Sequence, residues 1–146
     1  MSVNNLEILN VAGYKFEPLK NLDYLIPQFQ NKCDELELKG SVYLSPNGIN
    51  FSIAGTKENV NTYIKFIEQN PKFKDIPLKK TFSATQPFRR MKVRLKKEII
   101  SLGRDDINPK EITGEYISPQ ELFEIYENKK DVIVLDIRNE YETRVG

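Results

Sequence analysis

The sequence predicts an α+β fold in the order strand, helix, strand, strand, helix, strand. Three observations carry this expectation: two stretches with apolar residues at three- and four-residue intervals, alternating apolar and polar residues between them, and turn chemistry at the joints. The first strand is expected over 6–16, where Leu9, Val11, Tyr14 and Phe16 form a short apolar run. Leu22, Leu25, Ile26, Phe29, Cys33 and Leu36 then fall on one helical face. Pro27 has no amide proton, which sets the start of the regular helix close before it, and Lys39-Gly40 is expected to end it, with the glycine left-handed.

Val42-Tyr43-Leu44 and the alternating Ile49, Phe51 and Ile53 flank Ser45-Pro46-Asn47-Gly48, the composition of a hairpin. Thr56 is the expected N-cap of a second helix, whose Val60, Tyr63, Ile64 and Ile67 repeat at helical spacing until Asn70-Pro71. Ile76, Leu78 and Phe82 supply the fourth strand. This order is the ferredoxin-like split unit, four antiparallel strands burying one face beneath two helices. Such a fold serves RNA binders, small phosphatases and metabolite sensors alike, so it does not fix an activity.

Composition narrows the chemistry. The 146 residues contain no histidine, which excludes from this stretch a Ser-His-Asp triad, a Cys-His pair and a histidine-ligated metal. A single cysteine, Cys33, excludes an internal disulfide and a CxxC knuckle, and its place on the apolar stripe of the first helix reads as a small buried thiol. The apolar runs are far shorter than the roughly 20 residues needed to cross a bilayer, and residues 1–5 lack the features of an export signal, so a cytoplasmic protein is expected.

The net charge of +1 conceals a segregation: residues 72–110 hold 12 Lys+Arg against 4 Asp+Glu. At its centre lies a strand-like segment in which Met91, Val93 and Leu95 are expected to face inward and Lys92, Arg94 and Lys96 outward. Same-face cations on a strand stand roughly 6.6 Å apart, close to the spacing of successive phosphates in a nucleic-acid strand. Two readings stay open: a phosphate-tracking surface of Arg89, Arg90, Lys92, Arg94, Lys96 and Lys97, or a solvated edge strand whose lysines deter aggregation.

Beyond it, Gly103, Asp105-Asp106, Asn108-Pro109 and Gly114 have the composition of a linker. Ser118-Pro119-Gln120-Glu121 is a capping box that starts a helix at Pro119. Val132-Ile133-Val134-Leu135 reads as a strand buried on both faces of a parallel sheet, with Asp136-Ile137-Arg138 at its carboxyl end. The expected organisation is a ferredoxin-like, acylphosphatase-like domain with a basic extension strand over 1–100, a linker over 101–116, and the truncated beginning of an α/β domain over 117–146. One helix and one strand cannot bury their apolar faces alone, so the chain reads as an N-terminal fragment.

Residues 40–55 (GSVYLSPNGINFSIAG), 87–100 (PFRRMKVRLKKEII) and 134–146 (VLDIRNEYETRVG) together resemble the rhodanese-domain-containing tRNA uridine hydroxylases. That family pairs a ferredoxin-like domain with a rhodanese domain and makes 5-hydroxyuridine at the wobble position of tRNA using dioxygen. The resemblance implies tRNA as partner, dioxygen as co-substrate, and phosphate contact by some of the six cations. It places Asp136 and Arg138 in the rhodanese motif, holding the loop after the strand more than reacting, and puts the catalytic cysteine beyond residue 146. No catalytic residue is therefore assigned within the chain, and Cys33 does not take that role. No flavin fingerprint or metal-ligand cluster is visible, so the cofactor is not read from the sequence. Asn47, Gly48 and Asn50 are either a binding loop or simply turn geometry. Glu140 and Glu142 read as a solvated face. The alternatives to a hydroxylase are a rhodanese-type sulfurtransferase and a non-enzymatic RNA-binding module.

Overall fold

The computed structural model describes residues 7–100, 103–104, 106–108, 110–111 and 113–145. Leu6, Ser101, Asp105, Pro109 and Gly146, used in the sequence expectations, lie outside the described residues. The chain divides into two compact units, Met1–Ile112 and Thr113–Gly146.

The first unit contains β1 (Ile8–Phe16), α1 (Leu22–Glu35), β2 (Lys39–Ser45), β3 (Gly48–Thr56), α2 (Lys57–Glu68), β4 (Leu78–Ser83) and β5 (Met91–Leu95). The strands form one sheet in the order β4-β1-β3-β2-β5. The first four are antiparallel, the ferredoxin-like arrangement expected, and β5 adds to the edge parallel to β2. Burial alternates along β3: Ile49, Phe51 and Ile53 are buried whereas Asn50 and Ser52 are only half-buried. Leu9, Val11, Val42 and Leu44 join the buried side beneath Phe29 and Cys33 of α1 and Val60, Tyr63, Ile64 and Ile67 of α2. Phe29 sits at the centre of the core aromatics, with ring centroids 5.3 Å from Phe66, 6.1 Å from Phe73 and 6.3 Å from Tyr63.

Local chemistry explains most element ends. The Thr56 hydroxyl accepts from the Asn59 amide and opens α2 as expected. The β2–β3 turn is tied down by its own backbone, the Glu17 amide donating to Asn47 O at 3.0 Å and the Leu19 amide to Pro46 O at 3.0 Å. Gly48 (φ +154) lies where a Cβ would stand 2.1 Å from the Lys15 carbonyl oxygen, so only glycine fits that approach.

Three expectations for this unit need correction. The first helix ends at Glu35 rather than at Lys39-Gly40, closed by a Schellman pair in which the Glu37 amide donates to Asp34 O and the Leu38 amide to Cys33 O. Glu37 (φ 50) takes the left-handed position, while Gly40 belongs to β2, where a Cβ would stand 2.1 Å from the Ser52 carbonyl oxygen. Pro27 lies inside α1 at its sixth residue, later than an opening turn, and its missing amide leaves the Asp23 carbonyl without that helical donor. Leu95 shares the helix-side face with Met91 and Val93, in register with the buried Leu44, but it is not buried there: it is 54% exposed, because it sits on the edge strand at the rim of the groove that α1 forms with β5.

The second unit contains α3 (Pro119–Glu127) and α4 (Glu140–Thr143). The capping box is present: the Ser118 hydroxyl accepts from the Glu121 amide at 3.1 Å, and the Ser118 amide donates to the Glu121 carboxylate at 2.6 Å. Val132-Ile133-Val134-Leu135, expected as a doubly buried strand, is not one, and Ile133 is 98% exposed. A strand is a paired state, and among the described residues no neighbour pairs with this segment. Among the described residues, no helix is long and apolar enough to cross a membrane.

Candidate nucleic-acid interface

The face of the sheet opposite the helices is set by register. One cross-strand row runs Lys79, Ala12, Ser52, Ser41, Lys92, and the next runs Tyr14, Asn50, Tyr43, Arg94. The first has small residues between a lysine on each edge strand, about 19 Å apart for four strand spacings. The second sets two tyrosines on either side of an asparagine, with an arginine at the edge. Residues 84–90 cross from β4 to β5 at the Ala54 end of this face, where the Gln86 side-chain amide donates to Ala54 O at 3.1 Å.

This crossing brings Arg89 and Arg90 to the cationic edge. They line, with Gly40, Ser41, Tyr43, Phe88 and Lys92, a shallow groove of about 330 Å³. Lys92 and Arg94 stand on the open face of β5, in register with Ser41 and Tyr43. Lys96 follows, its amide bonded to Leu44 O at 2.8 Å and its ammonium 5.0 Å above the Tyr43 ring. Lys97 diverges, lining a separate groove of about 360 Å³ with Phe16, Pro46, Asn47 and Lys110. Five of the six expected cations thus gather along one edge and one lies apart.

None of the six forms an ion pair with a carboxylate among the described residues. Some basic groups elsewhere are paired: Lys15 with Asp75 at 2.6 Å, Lys110 with Glu17 at 2.9 Å, Arg104 with Asp106 at 2.6 Å. The hydrogen bond from Lys110 holds the Glu17 carboxyl below its usual range, and that from Lys15 does the same for Asp75. Unneutralised cations along one strand make a local positive field suited to a polyanion.

The loop candidates separate in the structure. The Asn47 side chain is occupied within the turn, accepting from the Ser45 hydroxyl and from the Ile99 amide at 3.4 Å. Gly48 serves the close approach to β1 described above. Asn50 belongs to the open face, between the two tyrosines. Asp136 and Arg138 form a pair at 2.8 Å, and the hydrogen bonds from Arg138 hold the Asp136 carboxyl down to about 2. Cys33 is fully buried, and burial pushes its thiol up to about 12, away from the reactive range. Sequence reasoning missed Tyr14, Tyr43 and Lys79 as members of this face. The alternation of Tyr43 with Val42 and Leu44 was a usable signal, but Tyr14 and Lys79 join it only through long-range register.

Residues 8–99 match the model of the UPF0176 acylphosphatase like domain. A protein of Acaryochloris marina named tRNA uridine(34) hydroxylase is 40% identical over 140 residues, covering 96% of this chain and 45% of the relative. One of Cupriavidus pinatubonensis with the same name is 37% identical over 146 residues, covering 97% of this chain and 52% of the relative. The chain spans about half the length of the curated relatives it matches. Among solved structures, the BLUF protein BlrB in its dark state superposes with a TM-score of 0.54 at 15% identity, covering 84% of this chain and 95% of that one, a likeness of fold alone. The match over most of the first unit places the chain in the UPF0176 acylphosphatase-like domain family.

Proposed function

We propose that this chain is the RNA-holding part of an enzyme that hydroxylates uridine 34, the wobble uridine, of tRNA to 5-hydroxyuridine, with dioxygen as co-substrate. The observation that carries the reading is the edge of β5, where Arg89, Arg90, Lys92, Arg94 and Lys96 gather without carboxylate partners among the described residues. The names of the relatives at 37–40% identity support it. Lys92 and Arg94 project from the same face at a strand repeat of about 6.6 Å, and each can meet one phosphate. Arginine adds bidentate geometry that lysine lacks. The backbone contacts set register on the RNA, while discrimination of the tRNA needs contacts to bases.

The test is the nucleoside content of tRNA from cells lacking the gene. Loss of 5-hydroxyuridine and its derivatives, restored by the intact gene, is expected. An unchanged digest contradicts the reading.

A further inference from the structure

We propose that the open face of the sheet is a stacking platform for unpaired RNA bases, with Tyr43 and Tyr14 each taking a base, Asn50 offering its amide to a base edge between them, and Lys92 and Arg94 holding the adjoining phosphates. This rests on the reading of the chain as an RNA-holding domain and names the part of the RNA that it holds.

Exposed aromatic side chains on a sheet, flanked by cations, are how four-stranded sheets capture single-stranded RNA, since every base has a face to stack. Here one register row supplies all three chemistries in sequence: Tyr14, Asn50, Tyr43, Arg94. The tyrosines stand two strand spacings apart, roughly 9.6 Å, so one continuous stack cannot bridge them and splayed bases can. Tyr14 is 47% exposed, and its ring meets Phe16 edge-on at 6.2 Å. The Asn50 side chain makes no hydrogen bond among the described residues, leaving donor and acceptor available to a base edge. The neighbouring row of Ala12, Ser52 and Ser41 is a low floor between Lys79 and Lys92.

Tyr43 already has a cation above it, Lys96 at 5.0 Å. An exposed cation–π contact is worth about 2- to 5-fold in an equilibrium constant, whereas base stacking on an aromatic is worth about 5- to 150-fold. A base therefore displaces Lys96 from the ring, and the released ammonium meets the phosphate of the same nucleotide. Duplex RNA cannot use this face, because its bases are already paired and stacked. The occupant favoured by the charge pattern is an unpaired stretch such as an RNA loop.

The test titrates the chain with a single-stranded hexaribonucleotide carrying one 2-aminopurine, and with a 20-base-pair RNA duplex. Tyr43→Ala, Tyr43→Leu, Tyr43→Phe, Tyr14→Ala and the double Lys92→Ala, Arg94→Ala are compared after circular dichroism confirms that each is folded. Quenching of the 2-aminopurine by the wild-type chain is expected. Tyr43→Ala and Tyr43→Leu should lose at least about 5-fold in hexamer affinity, Tyr43→Phe should retain it, and duplex affinity should change less than about 2-fold. If the tyrosine variants bind the hexamer as tightly as wild type while the double cation variant weakens it, stacking is overturned and the RNA-holding role stands. If wild type binds neither hexamer, duplex nor tRNA, both fall. A doubling of molar mass without RNA that Tyr43→Ala abolishes overturns the proposal in favour of a second copy on this face.

Discussion

The two faces of the one sheet are made by the same strands and do opposite work. On β3, Ile49, Phe51 and Ile53 are sealed beneath α1 and α2, while the intervening Asn50 and Ser52 stay partly open. On β5, Met91 and Val93 pack against the core while Lys92 and Arg94 join the open face. The covered face holds the aromatic cluster and the aliphatic core, so burial energy concentrates there. The open face has tyrosines, small polar residues and cations, which add little to folding. Neighbouring residues on one strand should therefore separate stability from RNA affinity.

The largest expected effect is on the covered face. Phe29→Ala removes the ring shared by Tyr63, Phe66 and Phe73 and should cost about 3–5 kcal/mol, read from urea midpoints. Measured per folded molecule, its RNA affinity should match wild type, and a parallel loss of both would break the comparison. Next comes the Tyr63 hydroxyl, buried without a protein partner among the described residues. Tyr63→Phe should raise stability by about 1 kcal/mol, since an unsatisfied buried polar group is removed with the ring kept. A drop in the urea midpoint would reveal a partner for that hydroxyl.

Glu37→Gly should add roughly 0.5–1 kcal/mol, because Glu37 occupies the left-handed closing position at φ 50. The same denaturation measurement checks it, and RNA affinity should not move. Alkaline titration tests the covered face without any substitution. Burial raises Cys33 to about 12 and Tyr63 well above its usual value, so the folded chain retains protons that the unfolded chain gives up. The stability these groups contribute is full below about pH 8.5 and declines as pH rises towards about 12, so urea midpoints should fall over that window. At pH 8, Cys33 should resist a thiol reagent until the chain is unfolded.

Local signals made the covered face legible in sequence. Val60, Tyr63, Ile64 and Ile67 announce α2, Thr56 its cap, and Pro46-Asn47 the hairpin, because each depends on residues near in the chain. The end of α1 was misplaced because Gly40 is the more obvious left-handed residue, yet its place is fixed by approach to Ser52 on a neighbouring strand. The segment 132–135 had strand composition, but composition cannot supply a neighbour to pair with. For the candidate site, the cations were legible from charge density alone. Their partners Tyr14, Asn50 and Lys79 were not assembled, since the row Tyr14, Asn50, Tyr43 exists only once β1, β3 and β2 are in register.

The most direct test of the cationic edge is the salt dependence of tRNA binding by this chain and by its Arg89→Ala, Arg90→Ala, Lys92→Ala triple variant. Affinity should fall in the variant, and the slope of log K against log salt should flatten by about 2–3, close to one unit for each phosphate contact removed. An affinity and slope equal to those of the wild-type chain would contradict the account.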